Sequence, residues 1–562
     1  MNSRKRKASN APRSISVGLD FGTTYSGIAW GLDEDDINVI SNYSSYNFAQ
    51  GDKKKVLTTL LYGHDGISWG YRISPKDVPL KWFKLLLLDE EDLPDYIRDS
   101  HHIKEAKRQM QSSNRHAVEV IGDFLRQLWG YGIEEMERSM GKRQVASLPF
   151  HLIVTVPAIW PLYARNRMQQ ALVHAGILSD KVTLDFVSEP EAAAVAVMRD
   201  SRGRASIKKN DHFVVCDAGG GTVLRESVKG DGILRGAICL DERFQELLKS
   251  KVPANDWQQL GRAGIHQLIE RYWEHGIKTD HIEDMEVGVP VSSGQTSFNV
   301  KISKQEIADI YKPIVADIVD LVCKQMFETK GKFNKVPDYV FLVGGFGKSR
   351  VLYKALTDAI FDHGFPTEVM QPQGDKPWTA VCRGALLRGL SQTCANPWAT
   401  VDARVARASY GTTVNILPWT MGEHDARDRE WCPLEREYLA VNQVQWFITM
   451  GETLGINSPV AKAFWQDVES PEEEITTEIV ISTATPPPYR FAEDVSRLCA
   501  IRWAKIPNFD SLPSFTNSAG NTVRQIPYEI KMVPNGMSLD FEIFFKDIMV
   551  ASKNISIECD QE

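Results

Sequence analysis

The sequence lacks three features that would restrict its surroundings and its partners. Its eight cysteines are scattered over 562 residues with no C-x-x-C pair, a pattern typical of separate reduced thiols rather than of a disulfide framework or a zinc site. No apolar run approaches the length of a membrane span, and the first residues contain no apolar signal core. The formal charge of −8 does not favour a nucleic-acid binder. We therefore expect a cytoplasmic protein with neither nucleic-acid nor membrane partners.

The length of the chain indicates two to four domains, because 562 residues are too many for one hydrophobic core. The content of 43% hydrophobic and 25% charged residues is ordinary for a folded protein. Residues 1–12 form a polar tail in which Arg4–Lys7 is basic. Such a patch is either a nuclear-import signal or simply solvated, and the second interpretation is favoured.

A strand followed by a glycine-rich turn near residue 217 organises the rest of the chain. Four β-prone residues, Phe213–Cys216, precede an aspartate, three consecutive glycines and a threonine. Glycines let backbone N–H groups crowd around an anion, and an aspartate at the end of a strand is well placed to hold a hydrated Mg²⁺ beside a phosphate. The predicted anion-binding turn comprises Asp217, Gly219, Gly220, Gly221 and Thr222.

A second copy of this pattern lies near the start of the chain. Ile15–Asp20 and Tyr25–Gly31 are predicted to form the two strands of a hairpin. One glycine turn alone is a weak signal. Two copies, however, predict a nucleotide clamped between two lobes. The turn of this copy, which is the first turn in chain order, comprises Asp20, Gly22, Thr23, Thr24 and Tyr25.

Lys84 lies in the apolar segment Val78–Leu88. A lysine in such a segment usually extends its charge to the surface, and the sequence alone favours that interpretation. The alternative is a lysine directed at the γ-phosphate of a nucleotide, where it would stabilise developing charge.

Two glutamates follow the predicted strand Val182–Val187 and open an alanine-rich helix. Either one is a candidate for a first-turn acid that interacts with the helix dipole, and either one is a candidate for the nucleotide cleft. We assign Glu189 to the cleft and Glu191 to the dipole.

A third glycine turn follows the apolar strand Tyr339–Val343 and precedes a helix. Gly344 and Gly345 are predicted to admit a flat ring or a phosphate, and Arg350 is predicted to stack on the ring. The Gly-Lys-Ser sequence at 347–349 lacks the spacing of a P-loop, so that motif is rejected.

Two further helices are predicted in this half of the chain. Leu268–Ile277 is expected to place Glu274 and Lys278 on one face, and a surface ion pair is the simplest interpretation of that pair. Lys304–Phe327 is expected to be a long helix interrupted at Pro313.

Taken in order, these motifs resemble the actin-like ATPase superfamily and, within it, the 70-kDa heat-shock protein (Hsp70) family. The resemblance covers residues 15–415. The divergent heat-shock 70-kDa protein 12 branch is the most similar, on the segments Trp82-Phe83-Lys84, Tyr272-Trp273-Glu274 and Gly344-Gly345-Phe346-Gly347. The motifs that carry the family resemblance are Asp20–Tyr25, Thr155–Ala158, Glu189–Ala194, Asp217–Thr222 and Val343–Gly345, with Arg404–Gly411 added by the branch.

The resemblance implies an α/β, two-lobed, actin-like ATPase (ribonuclease H-like) fold that closes on ATP or ADP with Mg²⁺. Lobe I would span 13–202 and be completed by 372–391, and lobe II would span 203–371. By the same resemblance Asp20 and Asp217 would place the metal, and Lys84, Glu189 and Asp217 would be catalytic. Phosphate contacts would come from Gly22, Thr23, Thr24, Tyr25, Gly219, Gly220, Gly221 and Thr222, and adenosine contacts from Glu274, Lys278, Gly344, Gly345 and Arg350.

Residues 392–562 change in character, with short alternating runs such as Ile475–Ser482 that predict a β-rich domain. The Hsp70 family carries its peptide-binding sandwich in this position. The apolar linker of the family and its long helical lid are not recognisable in the sequence. This domain is expected to bind an unfolded client or another protein partner, and co-chaperones are further candidate partners.

The segment after Thr222 departs from the family. Leu224 replaces an aspartate of the family pattern, and Gly236 is reached one strand and one hairpin early. Weak or absent hydrolysis and a less stable lobe II are therefore expected, and the alternative is an error in the coding sequence that dropped a segment after Val223. Two functions remain open, an ATP-driven chaperone-like switch and a nucleotide-binding pseudo-ATPase scaffold. A sugar kinase is less favoured because no aspartate in the 222–244 region is placed as a base.

Overall fold

The structure is a computed structural model that describes residues 14–554 with internal gaps. These gaps are 46–52, 65, 75, 202–206, 209–210, 219–236, 278–286, 294–295, 394–402, 434, 456–457, 469, 504–505, 507–508, 517–519, 521 and 536–537. The chain divides into two compact units, Met1–Thr400 and Val401–Glu562. Unit 1 is a mixture of helices and strands, so the described chain is a mixed α/β protein.

The strands of unit 1 are short and mostly buried. In chain order they are β1 (Ile15–Phe21), β2 (Tyr25–Gly31), β3 (Asn38–Val39), β4 (Val56–Leu57), β5 (Thr59–Gly63), β6 (Gly66–Trp69), β7 (Leu80–Lys81), β8 (Phe150–Val156), β9 (Val182–Ser188), β10 (Phe213–Asp217), β11 (Val287–Ser293), β12 (Thr296–Ile302), β13 (Tyr339–Val343) and β14 (Glu368–Met370).

The helices of unit 1 pack around these strands. They are α1 (Asp95–Arg98), α2 (His101–Ser112), α3 (Ala117–Met140), α4 (Lys142–Ser147), α5 (Leu162–His174), α6 (Glu189–Asp200), α7 (Ala237–Lys251), α8 (Ala254–Leu268), α9 (Lys304–Phe333), α10 (Arg350–Asp362) and α11 (Lys376–Thr393), together with a π-helix, Ile269–Ile277.

The first sheet of unit 1 has the order β3-β2-β1-β8-β9, with β4 also paired to β2. Strands β1 and β2 form the predicted antiparallel hairpin, whereas β1, β8 and β9 run parallel. The carboxyl ends of these three parallel strands therefore meet at one edge of the sheet. Ligands of open α/β sheets bind at such edges.

A second sheet of described strands has the order β10-β13-β14, all parallel, and β11 and β12 form a separate antiparallel hairpin. One buried cluster holds residues of both sheets, because Ile153 of β8 and Val187 of β9 share it with Val215 of β10 and Phe341 of β13. This shared core fixes the carboxyl ends of β9 and β10 relative to each other.

Helix α11 packs closely against both the first sheet and α6, because glycines stand at the two points of contact. A Cβ atom on Gly384 would lie 1.6 Å from the backbone oxygen of Ala192 in α6, and one on Gly18 of β1 would lie 2.2 Å from the backbone oxygen of Cys382. Gly384 therefore allows α11 to pack closely against α6.

Two helix predictions need correction. Helix α9 runs without interruption from Lys304 to Phe333, with Pro313 inside it. The proline removes one backbone hydrogen bond, but its neighbours Ile310 and Ile314 are buried in the core of this half, and that burial keeps the helix in place. The segment predicted as the helix Leu268–Ile277 is instead the end of α8 followed by the π-helix, whose i→i+5 bonds are typical of single-turn insertions.

Unit 2 consists of strands and two short 3₁₀ turns over the residues described. Two sheets have the orders β17-β18-β16-β21-β22 and β20-β24-β25-β26, with β23 paired to β24, and β15 pairs with β19. The strands are β15 (Ala403–Val405), β16 (Ser409–Ile416), β17 (Arg429–Cys432), β18 (Glu437–Ile448), β19 (Thr453–Gly455), β20 (Val460–Val468), β21 (Ile475–Ser482), β22 (Ser496–Trp503), β23 (Ser514–Thr516), β24 (Thr522–Asn535), β25 (Ser538–Phe545) and β26 (Ile548–Asn554).

None of the helices in the described ranges combines the length and the apolar character needed to cross a membrane.

Candidate functional site

The hairpin β1–β2 carries the first predicted carboxylate. Asp20 lies near the end of β1 and is buried, since the strand runs through the middle of the sheet. The following turn is tight, because a Cβ atom on Gly22 would lie 2.2 Å from the backbone oxygen of Tyr25. Thr58 holds the turn from the side by donating its hydroxyl to the Gly22 carbonyl at 2.8 Å.

Asp20 forms a buried ion pair with Lys55. The ammonium of Lys55 donates a hydrogen bond to its Oδ2, and both side chains are almost fully buried. Burial alone would lower the pKa of the lysine, but the adjacent Asp20 carboxylate raises it above its ordinary value. Lys55 therefore stays charged. Sequence reasoning missed this residue.

Lys84 and Glu189 form a second buried pair. The Lys84 ammonium donates to Glu189 Oε1 at 2.7 Å and lies 5.7 Å from the ring centre of Phe21 and 5.3 Å from that of Trp160. The lysine sits on a 3₁₀ turn, Phe83–Leu87, and does not extend to the surface. Its charge is stabilised by one carboxylate and two aromatic faces rather than by water.

The backbone before Lys84 is strained. Trp82 adopts a left-handed conformation with φ 65° while its ring stacks on His102 at 4.5 Å. Left-handed conformations are unfavourable for a bulky residue and persist where packing enforces them, most often at functional sites. Here the conformation turns the chain so that Lys84 enters the interior.

Asp217 ends β10 in the second sheet, and Gly344 follows the neighbouring strand β13. Gly344 has φ 86°, and a Cβ atom there would lie 2.5 Å from Asp217 Oδ1 and 2.5 Å from the backbone carbon of Ala218. The glycine therefore lets the two turns pack together, and the space beside it is filled by Asp217.

The five charged groups lie within electrostatic reach of one another. Burial, together with the charges of Glu189 and Asp20, raises the pKa of Asp217 to about 8, against the opposing effect of Lys55 and Lys84. Each of the five is at most 8% exposed. Three acids and two ammonium groups thus share a buried cluster in which Asp217 is largely protonated at neutral pH, and an added cation would favour its charged form.

The remaining predicted residues are placed as follows. The Tyr25 ring meets Trp378 edge to face at 5.4 Å, and Trp378 lies 3.7 Å from the Cβ position of Gly345, so these residues share one side of the site. Arg350 begins α10 and is exposed. Thr23 is buried and Thr24 is half-buried in the first turn. Outside the described residues lie Gly219, Gly220, Gly221, Thr222, Lys278 and the side chain of Glu274.

The donor set suits a hydrated magnesium ion. Magnesium keeps several of its waters and binds through one or two carboxylates, and Asp20 and Asp217 come from the ends of strands in the two sheets. No group of three or more His, Cys, Asp or Glu side chains is placed to hold a metal in the part of the chain described. The buried hydroxyl of Thr155, at the end of β8 beside β1, has no hydrogen-bond partner among those residues, so one polar position near Asp20 remains unmet.

Comparison with known proteins shows that the chain is similar to divergent members of the Hsp70 family, as its motifs predicted. It is similar to heat shock 70 kDa protein 12B of Homo sapiens, with 23% identity over 550 residues and 76% of each chain covered. Heat shock 70 kDa protein 12A of Homo sapiens is 22% identical, with 73% of each chain covered. The chaperone protein DnaK of Thermosipho africanus is 21% identical, covering 66% of this chain and 59% of that one.

The C-terminal unit matches a separate family model. The model of a domain of unknown function, DUF8568, matches residues 404–550. The match begins at β15 and ends within β26, so it spans most of the described strands of unit 2.

Proposed function

We propose that this protein binds ATP or ADP with Mg²⁺ between the two lobes of an actin-like ATPase fold, and that the bound nucleotide switches a β-rich C-terminal domain that takes a protein partner. The observation that carries the proposal is the buried cluster of Asp20, Glu189 and Asp217 with Lys55 and Lys84 at the carboxyl ends of strands from two sheets. A buried acid with a raised pKa, as Asp217 has, is typical of functional sites.

Each part of the site has a role in this proposal. The first turn, with Thr23, Thr24 and Tyr25, and the glycines after Asp217 would donate to the phosphates. The two aspartates would hold the hydrated magnesium, which neutralises phosphate charge when bound. Lys84, held by Glu189, would stabilise charge on the γ-phosphate. The side of the site formed by Gly345 would receive the adenosine.

Nucleotide binding is tested by placing a larger side chain at Gly345, on the side of the site proposed for the adenosine. Gly345 has φ −63°, which suits any residue, and nothing lies closer than 3.7 Å to its Cβ position. Gly345→Leu is therefore expected to fold and to weaken binding of ADP at least about tenfold by occupying the adenosine position. Calorimetry with ADP and Mg²⁺ measures the effect.

The matched control is Gly130→Leu. Gly130 lies in α3, is exposed, and has nothing within 4 Å of its Cβ position. The Gly130→Leu variant should therefore bind ADP with the affinity of the wild type. Equal affinities for all three proteins would contradict the proposed site, as would absence of any heat from the wild type.

Hydrolysis separates the switch from the pseudo-ATPase scaffold. Lys84→Ala is expected to leave ADP affinity within about threefold of the wild type and to slow single-turnover hydrolysis at least about tenfold, because its charge acts on the reacting phosphate. Lys354→Ala, which removes an exposed ion pair with Asp358, is the control. An undetectable rate in the wild type, which Leu224 favours, would support the scaffold instead.

The role of the C-terminal domain is tested by adding an unfolded peptide. A switch should release a bound peptide faster when ATP is added to the ADP complex. Peptide release at one rate in both nucleotide states would reject the switch and leave a domain that binds its partner independently of the nucleotide.

A further inference from the structure

The side chain of Lys55 reaches Asp20 by crossing strand β2 at Gly27, which has no side chain. Asp20 of β1 pairs with Gly27 of β2, and Ser26 pairs with Val56 of β4. Lys55 therefore lies beside Gly27, one position before β4. Asp20, Gly27 and Lys55 therefore lie side by side on three neighbouring segments of the sheet.

The glycine in the middle of this row leaves the path open. A Cβ atom on Gly27 would lie 2.9 Å from Lys55 Cγ and 3.5 Å from Lys55 Cε. A side chain at this position would displace the lysine stem, whereas glycine lets the stem cross the strand. Glycine inside a strand weakens it, and it often marks such a close approach.

The other contacts fix the lysine in place. The Tyr71 hydroxyl donates to the backbone oxygen of Lys55 at 3.2 Å, and Tyr71 is itself buried. The side chain of Lys55 is 8% exposed and that of Asp20 is 5% exposed. A buried carboxylate and ammonium that are hydrogen-bonded to each other are costly to separate, because each charge would be left unpaired.

This arrangement bears directly on the cation that the site would take. Asp20 is one of the two carboxylates placed to hold hydrated magnesium, and Lys55 already donates to it. A lysine ammonium supplies one positive charge and three donors, which is part of what a hydrated divalent cation supplies beside phosphates.

We propose that Lys55 serves as a built-in cation of the nucleotide site, so that nucleotide binding depends only weakly on divalent metal. This inference rests on the proposed function. Lys55 is a positioning residue here, since it acts through the Asp20 carboxylate. The chain would thus hold ADP in the absence of magnesium.

The test compares ADP binding with Mg²⁺ and with EDTA by calorimetry. In the wild type, the Kd is expected to change less than about threefold between the two conditions. In Lys55→Met, it is expected to rise at least about tenfold in EDTA, because Asp20 then repels the phosphates unless a metal neutralises it. Lys54→Met, the neighbouring half-buried lysine, should behave as the wild type.

A second variant keeps the proposal testable if Lys55→Met does not fold. Gly27→Ala retains both charges but places a methyl group against the lysine stem, and it should reproduce the metal dependence. Binding of Mn²⁺ alone, followed by electron paramagnetic resonance, should strengthen in both variants as Asp20 becomes free.

The outcomes are distinct. A wild type that loses ADP in EDTA as strongly as the variants overturns the role of Lys55 and leaves the nucleotide site standing. Absence of ADP binding by every protein, even with Mg²⁺, overturns both proposals.

Discussion

Two buried aspartates, Asp217 in unit 1 and Asp428 in unit 2, lie in opposite electrostatic surroundings. Asp428 is 1% exposed and accepts from Arg490 Nε at 2.7 Å and Nη2 at 2.8 Å, and hydrogen bonding to this arginine holds its pKa below the ordinary value. Asp217 is 6% exposed, and burial with two nearby carboxylates raises its pKa to about 8.

The difference separates Asp428, a structural carboxylate, from Asp217, for which we propose a role in ligand binding. A buried acid with a full set of donors stabilises the fold around it, and its removal leaves the donors unsatisfied. A buried acid without an ion-pair partner in the described part of the chain reduces stability. Such groups are retained where a ligand needs them. The predictions below test this contrast from the largest expected effect to the smallest.

Asp428→Ala is expected to destabilise unit 2 by about 3 kcal/mol, because a buried partner of Arg490 and Gln443 is lost. Amide hydrogen exchange of β18 in the full chain measures the change. Arg497→Ala, which removes an exposed pair with Glu478, should stay within about 0.5 kcal/mol. An equal effect of the two variants would refute a structural role for Asp428.

The effect of Asp428 should also depend on pH in one direction. Its pKa is lowered on folding, so its contribution is fully present above the pKa of an unfolded aspartate, about 3.9. The contribution is lost as the pH falls through the lower, folded value. The stability difference between the wild type and Asp428→Ala should therefore be constant from pH 6 to 8 and shrink below about pH 4. A difference that persists unchanged in acid would contradict this account.

Sequence patterns predicted the parts of the site that are local. The strand, the aspartate and the glycine turn of β1–β2 follow from a β-prone run that ends in residues without bulky side chains, and both strands are confirmed. The strand before Asp217 is confirmed at Phe213–Asp217. The family resemblance favours a nucleotide role for Lys84, whereas Glu189 is assigned to the cleft from its position after the predicted strand Val182–Val187. Their pairing joins residues 105 positions apart, which no local pattern specifies.

The missed residues depend on tertiary register. Lys55 stands in a run of three lysines that resembles a solvated loop, and the path of its side chain into the interior depends on Gly27 beside it in the sheet. The glycine inside the predicted strand Tyr25–Gly31 was the available signal. The π-helix Ile269–Ile277 was missed because apolar spacing over ten residues does not separate α-helical from π-helical bonding.

Asp217→Asn gives the smallest expected change in stability and the sharpest form of the contrast. The amide has the shape of the carboxylate without its charge, so it relieves the desolvation and the repulsion from Glu189 and Asp20 that raise the pKa of this group. Without nucleotide, the variant should be as stable as the wild type or more stable by about 1 kcal/mol, whereas its affinity for Mn²⁺ alone should fall at least about tenfold, because Asp217 is one of the two carboxylates proposed to hold the metal. Asp358→Asn, at an exposed ion pair, should change neither quantity. Thermal unfolding and calorimetry on the same preparations decide the matter, and a variant that loses stability while keeping its affinity would make Asp217 a structural residue like Asp428.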